Sequence, residues 1–336
     1  MSKINYLFTR IKRMSFGNMI DQAKLIHRKT SKPTFFILVD MVWCGFRYMA
    51  GYMDYVVFEF YNLNAKQRKT HVTRGKNNEF VKLLNDKNYW DIFNDKIEFN
   101  KRFAKYIKRG WLDLRNSSLE DFSSFVKKYP VIIVKPIDGK CGKGIEKITI
   151  DGETDVKKLY SSLLENGQVL AEEFIRQHKD LMKLFPNSLN TLRLVTINYK
   201  GKVSLVFAGI RMGMGNSVVD NLNSGGLAAV IDKETGIIST PGADKIGETF
   251  EKHPDTGTEI IGFEIPKFAE AVATVKEAAT VVPQIGYAAW DIAVSDDDVQ
   301  LIEGNQYPGH DIYQMPCHIT DGYGILPVLN KAIGKE

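Results

Sequence analysis

Three groups of residues carry the chemistry open to this sequence. Glu303-Gly304-Asn305 sets a carboxylate and an amide oxygen two residues apart, and residues two apart in a strand share a face. Asp291 joins them from the neighbouring predicted strand, Trp290 to Val294. Two carboxylates and an amide oxygen are hard donors suited to Mg²⁺, which keeps waters and nucleotide phosphate oxygens as further ligands. Asp291 and Glu303 lie within apolar runs, where an unpaired charge is costly, so a metal role is favoured over a solvated turn. The second group is the segment Lys135-Pro136-Ile137-Asp138-Gly139-Lys140-Cys141-Gly142-Lys143-Gly144. Its glycines let backbone N–H groups turn toward an anion, and its lysines add positive charge. The complete GxxxxGK[ST] pattern is absent, since Ile145-Glu146 follows Gly144, and a strand rather than a helix comes next; a plain hairpin turn is the competing reading. The third group is Arg193 and Arg211, in neighbouring predicted strands. A fork of this kind suits a phosphoryl group or a carboxylate, unless the two are surface residues.

These groups need elements to hold them. Residues 16–63 carry apolar residues at mixed three- and four-residue spacing and read as helical. Asn77 to Lys108 reads as two short helices punctuated by Asn85-Asp86-Lys87-Asn88, and Asp121 to Lys128 as another. The β-branched run Val131 to Val134 then predicts a buried strand, and Ile145 to Ile150 alternates as a second. A helix over 154–165 follows. Strands are predicted over 168–174, 192–199 and 203–212, with Lys200-Gly201 as a hairpin turn, then over 227–231 and 236–239. A helix over 266–282 precedes a last strand pair around the acidic turn Ser295 to Asp298. The class is α+β.

Composition narrows the rest. The chain has 336 residues, 44% hydrophobic and 25% charged, which excludes a disordered or low-complexity protein. Its three cysteines, Cys44, Cys141 and Cys317, form no CxxC pair, so a disulfide framework or cysteine zinc site is not expected and a reducing cytoplasm fits. The charge is uneven. Residues 1–110 hold 22 Lys and Arg against 9 Asp and Glu, and the remainder holds 23 against 31. A basic front half suits an anionic membrane surface, the acidic second half or solvent. No RNA-binding or zinc-finger spacing supports nucleic acid. The most apolar stretch, Phe35 to Phe60, is interrupted by Asp40, Arg47, Asp54 and Glu59 and does not span a membrane. It reads as a buried helical layer, with an interfacial membrane surface beside the basic N-terminal arm as the alternative.

The Lys-Pro and glycine-rich loop, the later Glu172-Glu173-Phe174-Ile175 and the terminal Asp…Glu-x-Asn set together resemble the ATP-grasp superfamily. More narrowly, Gln177-His178, Asn190-Thr191-Leu192-Arg193, Asp220-Asn221, Gly225-Gly226 and Glu303-Gly304-Asn305 resemble its sugar-transfer-associated branch, found with polysaccharide biosynthesis genes. The resemblance covers residues 92–327 and extends to Asp54-Tyr55 and Phe58-Glu59-Phe60-Tyr61. It implies two α+β lobes clasping a nucleotide, preceded by a mainly helical region. The expected division is a basic, aromatic region over 1–75, a connecting segment over 76–130, and an ATP-grasp domain over 131–336 with lobes at 131–175 and 176–336.

The resemblance also implies roles. Lys96 and Lys135 are the nucleotide lysines, and Gly139, Gly142, Lys143 and Gly144 belong to the loop over the β- and γ-phosphates. Glu172 meets the adenine amino group, with Glu173, Phe174 and Ile175 alongside, and Asp180 the ribose hydroxyls. Asp291, Glu303 and Asn305 hold Mg²⁺ or Mn²⁺, while Arg193, Arg211, Asn221 and Lys143 serve catalysis. The implied activity is a carboxylate–amine ligase that consumes ATP through an acyl-phosphate. Its expected partners are a small-molecule or glycan-linked carboxylate and an amine acceptor, in the cytoplasm or at the inner face of the membrane. A phosphotransferase acting on a hydroxyl and a non-catalytic membrane-surface module are the alternatives.

Overall fold

The protein is described from a computed structural model covering residues 15–137, 144–217 and 219–335. It divides into two compact units. One comprises the described residues up to Leu83 together with those from Gly309 on, the other Leu84–Pro308. These limits differ from the expected 1–75, 76–130 and 131–336. The reason for grouping the C-terminal segment with the front of the chain is visible in its bonds. His310 Nε2 lies 2.9 Å from Asp54 Oδ1, and Gln314 donates to the Val72 carbonyl and accepts from the Val72 N–H.

In the first unit, helix α1 (Phe16–Thr30) and helix α2 (Thr34–Tyr48) form a hairpin. The region expected to be helical over 16–63 is helical in several pieces, the first break falling at Ser31-Lys32-Pro33. Ser31 takes the left-handed conformation, φ 58°, and Pro33 lacks the N–H that a continuing helix needs. The core packs Met19, Ala23 and Ile26 of α1 with Ile37, Met41 and Cys44 of α2, joined by Tyr55, Phe58 and Phe60. The expected buried layer is therefore only partly buried. Phe35, Phe36, Val39, Val42, Trp43 and Phe46 project from the other side of α2 and are exposed.

The second unit holds two antiparallel sheets. Strands β1 (Trp111–Asp113), β2 (Val131–Lys135), β3 (Glu146–Thr149) and β4 (Leu170–Glu173) make a small sheet in the order β1-β4-β2-β3. Along β2 only Ile132 and Val134 are fully buried, so the apolar run is a one-sided strand rather than one buried on both faces. Those two residues and Ala171 pack with Phe122, Val126 and Leu163 from helices at Leu119–Lys128 and Val156–Glu165. Ile133 stands opposite Glu172, so the other face of this sheet carries Glu172 and, two residues beyond Ile133, Lys135.

The large sheet runs β5 (Thr191–Tyr199), β6 (Lys202–Met212), β7 (Leu227–Val230), β8 (Gly242–Ala243), β9 (Thr249–Phe250), β10 (Tyr287–Val294) and β11 (Val299–Asn305), in the order β11-β10-β5-β6-β7-β8-β9. Lys200 and Gly201 both take positive φ, as a two-residue hairpin turn requires. A helix at Phe268–Ala278 contributes Ala271, Val275 and Ala278 to the same core as Leu192, Leu194, Ile210 and Ile292. Residues 236–239, expected as a strand, form only isolated bridges from Ile237 and Ile238. No helix among the described residues is long and apolar enough to cross a membrane.

Candidate active site

Strand register brings the third group and the metal candidates into one row. Asp291 of β10 stands opposite Arg193 of β5 on one side and Glu303 of β11 on the other. Arg211 of β6 stands opposite Thr191, two residues from Arg193 and so on the same face. A register shift after Asp291 leaves Ile302 of β11 without a partner in the ladder. Such a bulge re-aims the residues beside it.

The charges in this row set one another. Asp291 is buried, 1% exposed. Its Oδ1 accepts from Arg193 Nε at 2.5 Å, and its Oδ2 from Arg193 Nη2 at 3.1 Å and Arg211 Nη2 at 2.8 Å. Burial alone would raise the Asp291 carboxyl, but the two guanidiniums hold it below the usual carboxylate range. Glu303 moves the opposite way. Burial and then the Asp291 carboxylate push it up, and the arginines offset only part of this. Asn305 Nδ2 lies 3.4 Å from Glu303 Oε1. The donor set is thus two neighbouring carboxylates and an amide, with Glu303 raised by the crowding that a divalent cation relieves. By donor type these residues suit the hard ion expected of them, although both Asp291 oxygens already accept from arginines. Among the described residues, no group of three or more His, Cys, Asp and Glu could hold a metal ion.

Arg211 also donates to Thr191 Oγ1 at 2.9 Å. Asp220 accepts from the Thr191 N–H at 2.8 Å and from its hydroxyl. Asn221, expected in catalysis, caps a short turn by accepting from the Asn223 N–H at 2.9 Å. Gly226 closes that loop where the backbone leaves no room, since a Cβ there would lie 2.6 Å from the Asp220 carbonyl oxygen. Gly226→Ala is therefore expected to displace the Asp220 loop and to lower turnover several-fold more than it lowers thermal stability, a split measurable by steady-state assay beside a melting curve.

The nucleotide candidates gather around β2 and β4. Lys135 Nζ lies 2.5 Å from Glu172 Oε2, and Arg109 Nη2 lies 2.7 Å from Glu172 Oε1. Asn100 donates to the same Oε1 at 3.2 Å. Burial opposes ionisation of Glu172, yet Arg109 and then Lys135 hold its carboxyl far below the usual range. The carboxylate expected to meet an adenine amino group is thus already engaged by two cations. Lys96 donates to the Ile137 carbonyl at 2.9 Å, just past Lys135. Glu173 accepts from the Gly110 N–H at 2.8 Å. The Lys147 ammonium sits 4.1 Å over the Phe174 ring, and Ile175 is half-buried. Gly144 has φ 75° and packs close to Pro136, whereas Gly139, Gly142 and Lys143 lie outside the described residues. Asp180 stands apart. It pairs with Lys183 at 2.7 Å and lines a cavity of about 460 Å³ with Lys183, Phe263, Glu264 and Pro266.

Sequence reasoning missed Arg109, Thr191 as a hydroxyl partner and the carboxylate role of Asp220. Arg109 closes the basic run Lys105 to Arg109 and carries no local signal; its partner is Glu172, 63 positions away. Besides Glu172 it donates to the Leu301 carbonyl at 2.6 Å and the Ile302 carbonyl at 3.3 Å.

A small antiparallel sheet beside a larger one, with Lys135 on the first, Lys96 at the start of a helix reaching the end of β2, and a carboxylate row on the second, defines an ATP-grasp fold. Within that class, residues 67–332 match the sugar-transfer associated ATP-grasp family, and the chain belongs to it. Comparison with curated protein sequences finds no match. Among solved structures, the ATP-grasp ligase PsnB complexed with minimal precursor is 14% identical with a TM-score of 0.42, covering 75% of this chain and 64% of that one. D-alanyl-alanine synthetase A from Vibrio cholerae is 14% identical with a TM-score of 0.43, covering 73% and 65%. The ADP complex of N5-carboxyaminoimidazole ribonucleotide synthetase is 11% identical with a TM-score of 0.39, covering 65% of this chain. The chain spans 46% of that last structure's length.

Proposed function

We propose that this chain is an ATP-consuming carboxylate–amine ligase acting on a sugar acid or amino acid during the building of a cell-surface polysaccharide. The observation that carries the reading is the buried row Arg193–Asp291–Glu303, extended by Arg211 and Asn305. Glu303, Asn305 and Asp291 would hold Mg²⁺ or Mn²⁺, which when bound neutralises charge on the nucleotide phosphates. Arg193 and Arg211 present guanidinium N–H groups beside that charge, where they stabilise a phosphoryl group in transfer and orient a substrate carboxylate. Asp291 holds both arginines in place, and Thr191 with Asp220 fixes the second of them. Lys135 and Lys96 place cations at the end of β2 for the nucleotide. The substrate carboxylate takes the γ-phosphoryl group of ATP to give an acyl-phosphate and ADP. An amine then displaces phosphate and leaves an amide. Positioning and charge suffice for both steps, so no side-chain nucleophile is required.

The test is ADP and phosphate release with candidate uronic and amino acids, with hydroxylamine as the trapping amine. An acyl-hydroxamate is the expected product. AMP as product overturns the reading, and a stable phosphorylated product independent of amine moves it to phosphotransfer. A second measurement addresses the nucleotide end. Lys135→Met keeps the volume of the stem and removes the charge, so ATP binding by calorimetry is expected to weaken tenfold or more while circular dichroism stays that of wild type. Wild-type ATP affinity in the folded variant would detach β2 from the nucleotide.

A further inference from the structure

We propose that the outward face of α2 seats in the interface of an anionic lipid bilayer. This assigns a surface that the nucleotide chemistry does not use, and it stands or falls separately from the ligase reading.

The helix is apolar on two sides. Ile37, Met41 and Cys44 form the seam buried against α1, which already satisfies the fold. The opposite side still carries Phe35 at 70% exposure, Phe36 at 65% and Trp43 at 57%, with Val39, Val42 and Phe46 also exposed. A helix that is apolar all round is normally covered, and a contiguous exposed patch of large side chains marks an interaction surface. At fifteen residues and a rise of about 1.5 Å each, α2 is about 22 Å long, shorter than the ~30 Å hydrocarbon core. It therefore fits along the interface rather than across it.

Charge decides among occupants. The one acid of α2, Asp40, is part-buried, with its side chain 30% exposed, and its charge is matched by both Arg68 terminal nitrogens at 2.8 and 2.7 Å, with the Tyr55 hydroxyl donating at 2.8 Å. The exposed charges flanking the patch are basic: Arg28 and Lys29 at the end of α1 and Arg47 at the end of α2. The exposed acid of this hairpin is Asp21, near the far end of α1 and beside Lys24. A second copy meeting this face about a two-fold axis would set the same cations against themselves. An anionic headgroup layer instead complements them, and the aromatic side chains fill the boundary beneath. The segment before α1 adds Lys3, Arg10, Lys12 and Arg13 to the same sign of charge.

The full-length chain is mixed with vesicles of phosphatidylcholine alone, or with one-third phosphatidylglycerol, and binding is read by co-sedimentation and tryptophan fluorescence. Binding to the anionic vesicles is expected to be at least tenfold tighter than to the zwitterionic ones, with a blue shift that Trp43→Phe removes. Phe35→Ser/Phe36→Ser/Trp43→Ser is expected to lower it tenfold or more, with an unchanged melting curve. These side chains are exposed, so the fold does not depend on them. Arg28→Gln/Lys29→Gln/Arg47→Gln is expected to weaken it by about fivefold per charge at low salt. Four results would overturn the proposal: no binding to either vesicle, a triple aromatic variant that binds as wild type, a dimer dispersed by that variant, or binding seen only after residues 1–14 are removed. The dimer would give the face to a second copy, and the last result would give it to that segment.

Discussion

Glu303→Gln is expected to lower turnover by about 10²–10³-fold, the usual scale for losing one preorganised electrostatic contact in an active site, without lowering the melting temperature at pH 7.5. The two halves of this result have one cause. Glu303 is pushed up by burial and by Asp291. Between the ordinary glutamate value and that raised value the folded chain holds a proton that the unfolded chain has released. Stability therefore falls as pH rises through this window and stays at the lower level above it. A glutamine is neutral throughout and removes the loss, while also removing an anionic oxygen from the proposed metal set. Mg²⁺ competes with the same proton, so it should raise the wild-type melting temperature more at pH 8 than at pH 5.5, and do so much less in the variant. Near-normal turnover in Glu303→Gln, or an equal Mg²⁺ shift at both pH values, would remove Glu303 from the metal set.

The largest expected effect on stability belongs to Glu172→Gln. Arg109 and Lys135 side chains are 2% and 12% exposed and share this one carboxylate. Taking away the anion leaves two cations in a water-poor space, and removing one partner of a buried pair costs about 3–5 kcal/mol. A urea or thermal melt at pH 7 measures it directly. The sign of the pH dependence follows from the depressed Glu172 carboxyl. Its contribution is complete above the unfolded-state value and is lost as pH falls through the folded one. The gap between wild type and variant should therefore be full at pH 7 and narrow only in strong acid. The double variant Arg109→Met/Glu172→Gln should cost less than the sum of the single changes, because it also removes a stranded cation. A Glu172→Gln melt within experimental error of wild type would refute this account of the network.

Much of this site was legible along the chain because its parts are local. Glu303 and Asn305 share a face by strand alternation, and the β-branched run before Pro136 placed Lys135 at a strand end. Arg193 and Arg211 could be placed in neighbouring strands because a two-residue turn at Lys200-Gly201 joins β5 to β6, but the register shift that leaves Val206 unpaired is what sets them on one face, and no sequence signal marked it. What stayed hidden depends on long-range partners. Arg109 looks like one more residue of a basic run until Glu172 arrives from another strand. Glu172 could not be seen as an ion-pair hub for the same reason. The resemblance set Asp180 at the ribose hydroxyls, and its ion pair here is with Lys183 three residues on. Strands β1, β8 and β9 are two or three residues long and too short for a periodic pattern. On α2 the difficulty was different, since apolar spacing reports which residues avoid water and is silent on whether protein or something else covers them.

The Arg109 guanidinium has a mechanical meaning beyond its charge. Its Nη2 donates both to Glu172 of β4 and to the Ile302 carbonyl of β11, and its Nη1 to the Leu301 carbonyl of the same strand, close to Glu303. That makes it an axle between the small sheet and the strand bearing the metal candidates. In the order β1-β4-β2-β3, β3 is two strands from this fixed point, a lever of about 10 Å. A turn of about 20° around the axle carries β3 through roughly 3–4 Å at that lever length while β4 stays seated. Lys96 on the Ile137 carbonyl is a long, pliant tether beside it. Displacement therefore grows along the sheet from β4 toward β3, and hydrogen exchange should slow on nucleotide addition most in β3 and least in β4.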